Sequence, residues 1–146
     1  LAAFLYELVQ TQVTKKLRIK MMSDLPALTI ATIWAILNDT LDDATVNAIV
    51  WHCLGYRQQI DRWDNSNVAT EWRESYPEPP DLIGSRPAIV RLTRSIPEID
   101  KQLLKQQLGF QGYKVNELVP RKTRRATIAN WLLSYMKQAE IDSATE

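Results

Sequence analysis

The chain has 146 residues, 45% of them hydrophobic and 24% charged, with a formal net charge of +1. Such a composition excludes collagen-like, coiled-coil and fully disordered chains and predicts one globular domain. No apolar run approaches the roughly 18–20 residues of a membrane helix. One cysteine excludes an internal disulfide, and one histidine excludes a histidine cluster for a metal.

Leu1, Leu5, Leu8, Val9, Val13 and Leu17 recur at helical spacing, so residues 1–22 read as an N-terminal amphipathic helix or extension. Lys15, Lys16, Arg18 and Lys20 follow the apolar positions, the reverse of a secretory signal. Residues 1–21 are either an upstream extension, with Met22 as the natural start, or a true first helix. A single globular domain is expected over 23–139, and a flexible acidic tail over 140–146.

Within that domain Ile30, Ile33, Trp34 and Leu37 form a helical stripe that ends at Asn38-Asp39. Asp42 or Asp43 caps the next helix, which carries Val46, Ile49, Val50, Cys53 and Leu54 and stops at Gly55. The short link between the two predicts an antiparallel hairpin. Residues 56–75 alternate weakly and suggest a short strand pair or irregular loop, then a short helix over Val68–Tyr76 capped by Asn67. Pro77-Glu78-Pro79-Pro80 must run extended. Residues 88–94 read either as a strand or as the start of a helix. Ser95-Ile96-Pro97-Glu98 matches a capping box and predicts a helix through Leu108, closed by Gly109. Thr123 is the expected cap of a last helix with Ile128, Trp131, Leu132 and Tyr135 on one face. The expected fold is therefore mainly α, a compact single domain of four to five helices, with a small β element between the second and third long helices.

Charge is segregated. Residues 23–75 sum to −5 and residues 101–137 to +7. Arg121, Lys122, Arg124 and Arg125 crowd the start of the last helix, where cations oppose the helix dipole. They either pair within the molecule, with Glu71, Glu74, Glu78 or Asp81 as partners, or meet an anion or an external partner. Trp63, Trp72 and Tyr76 lie in the irregular section and are candidate partner anchors.

No catalytic constellation stands out. His52 and Cys53 are adjacent and cannot face each other on a helix, so Cys53 is expected to be a packing residue. Asp39, Asp42 and Asp43 lack the spacing of a calcium loop and read as caps. Phosphate-loop, dinucleotide and hydrolase motifs are absent from the sequence. No cofactor and no metal site are expected.

The runs TIWAILNDTLDDATVNAIVWHCLGYR, EWRESYPEPPDLIGSRPAIVRLTRSIP and KQLLKQQLGFQGYKVNELVPRKTRRATIANWLLSY resemble a family of small uncharacterised proteins from cyanobacteria and plastid-bearing organisms. The resemblance covers roughly residues 25–137. It implies lineage and a cytoplasmic or stromal location, and carries over no activity, catalytic residue or cofactor. The expected function is a non-catalytic protein-binding or assembly factor that docks another protein through its polar faces and the basic helix start. The alternative is nucleic-acid or phosphate binding through a helix-turn-helix-like C-terminal half, residues 98–137. An unrecognised enzyme is the third reading.

Overall fold

The computed structural model describes Ala2, Leu5 and residues 25–145. The amphipathic helix expected over 1–22 falls outside that description apart from two residues. Among the described residues there are six α-helices: α1 (Ile30–Leu37), α2 (Asp43–Leu54), α3 (Thr70–Ser75), α4 (Arg86–Arg94), α5 (Leu103–Leu108) and α6 (Pro120–Thr145). Strands β1 (Arg57–Gln58) and β2 (Trp63–Asp64) pair antiparallel, with Arg57 opposite Asp64 and Gln58 opposite Trp63. The mainly α class with a small β element is as expected.

The chain divides into two units. One contains Trp51–Pro79, the other Ala27–Val50 and Pro80–Glu146. In the first, Gly55 ends α2 with a φ of 107°, a conformation that a Cβ disfavours. A Cβ there would also lie 2.5 Å from the carbonyl oxygen of Asn67. The Tyr56 hydroxyl donates to Tyr76 O at 2.7 Å and Asn65 Nδ2 to Pro77 O at 2.9 Å, fastening the end of the proline-rich run. Helix α3 is shorter than expected: it begins at Thr70 behind Ala69, and Asn67 does not cap it.

The second unit is organised around α6, against which α1, α4 and α5 pack. Ile33, Ile36 and Leu37 of α1, Ala88, Ile89 and Leu92 of α4, Leu103 of α5, and Ile128, Ala129, Leu132 and Leu133 of α6 are all buried. Removing each larger aliphatic side chain from water contributes roughly 1.5–3 kcal/mol. Helix α1 thus finds its main partner in α6, not in the hairpin with α2 that the short link suggested. The apolar stripe of α1 belongs with the one 90 residues on, and a link that is short in sequence does not enforce close packing.

One open local reading is decided and three change. Residues 88–94 are helical, because Ser85 Oγ accepts from Ala88 N and Pro87 sits in the first turn, where its missing N–H costs nothing. Ser95 does not open a helix; its hydroxyl donates to Leu92 O at 2.6 Å and closes α4. The expected helix through Leu108 is split into a 3-10 turn, Glu98–Asp100, and the six-residue α5, which ends at Gly109 with φ 67°. Helix α6 starts at Pro120, so Thr123 lies inside it and donates to Pro120 O instead of capping it. At the other end α6 runs on to Thr145.

Candidate functional site

The basic start of α6 is placed by a stripe that begins with a charge. Ile128, Ala129, Leu132 and Leu133 lie three, four, seven and eight positions after Arg125, on one helix face, and all five are buried. Arg125 is 1% exposed. Its Nη1 donates to Asp43 Oδ1 at 2.8 Å, its Nη2 to Leu41 O at 2.6 Å and Ile36 O at 3.1 Å, and its Nε to Ile36 O at 3.2 Å. The guanidinium therefore adds donors to carbonyls at the end of α1 and in the turn before α2. Buried charge is tolerated only with such pairing.

Arg121, one turn earlier, lies nearer the surface. It grips Asp39 with two bonds, of 2.6 and 2.8 Å, and reaches Asp43 Oδ2 through Nε at 2.9 Å. The Arg121 bonds hold the Asp39 carboxyl below the usual carboxylate range, and in turn raise the guanidinium's pKa. Asp39 carries a positive φ of 61°, a conformation Asp accepts more readily than most residues. Asp42 Oδ1 accepts from Thr45 N at 2.8 Å, the cap expected for α2. The partners of Arg121 and Arg125 are thus Asp39 and Asp43, which overall charge did not single out, while Asp81, one of the carboxylates it did suggest, feels the charge of Arg124. The missed signal was in the sequence: Asp39 and Asp43 stand four apart, as do Arg121 and Arg125.

The other two cations are held less firmly. Arg124 donates to Ile83 O at 2.8 Å. Lys122 lies 3.8 Å from Glu117 and 5.7 Å from the centre of the Tyr113 ring. Beside them runs the connector 109–119. Tyr113 fastens it by donating to Leu37 O at 2.8 Å, and Phe110 packs edge-on between Trp34 and Tyr113. Its second half is a 3-10 turn, Val115–Glu117, that leaves Val115, Leu118 and Val119 88%, 51% and 46% exposed.

The aromatic anchors fare differently. Trp72 is buried, so it presents no face to a partner; it fills the interior because α3 turns it inward. Trp63 is half-buried and meets Trp51 edge-on at 5.7 Å. Tyr76 is half-buried against Trp72, with 6.0 Å between ring centres.

Chemistry at His52 and Cys53 finds no support. His52 is exposed, with its pKa lowered by partial burial and by Arg57. Burial pushes the Cys53 thiol up to about 11, far from the reactive thiolate range. Among the described residues no group of three or more His, Cys, Asp or Glu could hold a metal ion. No helix there is long and apolar enough to cross a membrane.

The model of DUF1823, a domain of unknown function, matches residues 27–137. The chain belongs to the DUF1823 family. A protein solved by solution NMR is similar to it, with 58% sequence identity and a TM-score of 0.68, over 77% of this chain and 95% of that one. No curated protein matches. The DUF1823 match spans α1 through most of α6 and so includes both the Asp39–Asp43 turn and the arginines it holds.

Proposed function

We propose that this DUF1823 protein is a non-catalytic binding domain that docks an acidic, partly apolar segment of another protein. The observation that carries the reading is the exposed trio Val115, Leu118 and Val119 between Lys114 and Lys122. Large apolar side chains grouped at a surface and rimmed by charge are a common mark of an interface. The surrounding residues 101–137 carry a net +7, which favours an acidic partner. Arg121 and Arg125 serve this surface indirectly, by holding the first turn of α6 in place.

Nucleic-acid reading is less favoured. Helix α5 has six residues, the connector to α6 has eleven, and the two arginines best suited to phosphate already bind carboxylates. The lineage and the cytoplasmic or stromal location implied by the resemblance remain part of this proposal.

Backbone amide shifts provide the test. Titration with an acidic amphipathic peptide should move the signals of residues 114–122, and Leu118→Ser with Val119→Ser should remove the effect without lowering the melting temperature. Shifts caused by a single-stranded oligonucleotide and not by the peptide would transfer the surface to nucleic acid.

A further inference from the structure

An open cleft of about 530 Å³ lies beside the first residues of the connector, Phe110 to Gly112. That volume falls in the range of about 300–1,000 Å³ typical of small-molecule sites. Its apolar lining is Ile96, Leu104, Phe110 and Ala126. Phe110 is held from behind by Trp34 and Tyr113, so this wall is in place before any guest arrives. The threonine and asparagine side chains on the cleft wall already have partners. Thr93 Oγ1 donates to Ile89 O at 2.8 Å and Thr127 Oγ1 to Thr123 O at 3.1 Å. Asn130 accepts from Leu104 N at 3.2 Å and donates to Asp100 O at 2.9 Å. A guest gains little by offering polar atoms there and more by covering the apolar wall.

The rim is different. Lys101 and Lys105 are both exposed at its edge, and no carboxylate lines the cleft. Lys101 is paired with Glu98 at 2.9 Å, a contact open to water. Lys105 has no ion-pair partner among the described residues. We propose that this cleft binds a small amphipathic anion. An apolar body lies against Ile96, Leu104 and Phe110, and a single carboxylate, sulfonate or phosphate end meets Lys105 and Lys101. The site shares no residue with Val115–Val119, so it stands or falls independently of protein docking.

Anilinonaphthalene sulfonate, which joins a flat apolar body to one sulfonate, is the probe, used with the full chain. Its fluorescence should saturate at one site per chain. Lys105→Glu should weaken binding by at least about fivefold, and Thr93→Trp, at an exposed position on the cleft wall, should abolish it. Lys114→Glu, outside the cleft, should leave it unchanged. Each variant is checked for an unaltered melting temperature. Octanoate or adenosine monophosphate should displace the probe, and which one does so identifies the body that fits, while inorganic phosphate should not. The proposal fails if phosphate competes as well as either, if no competitor displaces the probe, if binding does not saturate, or if both cleft variants bind as the parent does.

Discussion

Arg125 and Asp43 are 82 positions apart in the chain and 2.8 Å apart in the fold. The arginine end of this pair is sealed and the aspartate end is half open, with 1% and 39% of their side chains exposed. Replacing Arg125 by Met should therefore cost about 1–3 kcal/mol, because Asp43 is left with Arg121 alone and the Leu41 carbonyl loses its side-chain donor. Arg125→Lys should recover only part of this, since one ammonium cannot reach all three acceptors. Urea unfolding midpoints measure both. A loss under about 1 kcal/mol for the methionine variant would show that water replaces the guanidinium without difficulty.

Asp39 separates a charge effect from a backbone effect. Its pair with Arg121 is largely exposed and should be worth about 1 kcal/mol or less, declining with salt. Asp39→Asn keeps a residue tolerant of positive φ and should lose only that amount. Asp39→Ala should lose roughly 1–2 kcal/mol more from the left-handed backbone. Equal melting temperatures for the two variants would refute the backbone contribution.

Cys53 should be slow to alkylate. With its pKa pushed up to about 11, about one thiol in a thousand is ionised at pH 8. Labelling by iodoacetamide should accelerate strongly in denaturant, where the thiol regains its ordinary pKa. Equal rates in folded and unfolded protein would show an accessible, unshifted thiol.

Acid should loosen the contact between the 3-10 turn and α6. Asp100 accepts from Lys137 Nζ at 2.5 Å and from Ser134 Oγ at 2.7 Å, and these bonds hold its pKa below the ordinary value. The unfolded state then binds the proton first, so the contribution is complete above about pH 5 and fades as pH falls through the folded pKa. Lys137→Met and Ser134→Ala should each move the acid-unfolding midpoint to higher pH. Midpoints that stay put in both would assign acid sensitivity to Asp39 and Asp81, which are also depressed.

The parts of this fold that were legible in sequence are those that local chemistry determines. Asp42 caps α2, Gly55 and Gly109 end helices, and Ile33 and Leu37 of α1 and Ile128 and Leu132 of α6 are buried as their stripes foretold, whereas Ile30 and Tyr135 at the stripe ends are exposed. Ser95 misled because S-x-x-E is symmetric in its ambiguity: the same hydroxyl can open a helix or close the preceding one, and Pro97 breaks the run. Val and Ile in 88–94 left strand and helix both open, and Ser85 and Pro87 upstream decide for the helix. For Arg125 charge alone leaves internal pairing and an outside anion both open, whereas its position, which extends the apolar stripe by one turn, points inward. The exposed trio on the connector left no periodic trace, since a 3-10 turn buries no stripe.

The packing around α6 also bears on how the chain is made. Helices α1, α4 and α5 all rest on a segment that leaves the ribosome after them. Until residues 120–137 emerge, Ile33, Ile36, Ile89 and Leu92 lack their principal cover, and a nascent chain halted at residue 119 displays them to whatever chaperone is near. The buried arginine belongs to the second of those late turns, so its bonds to the α1–α2 turn wait for the same moment.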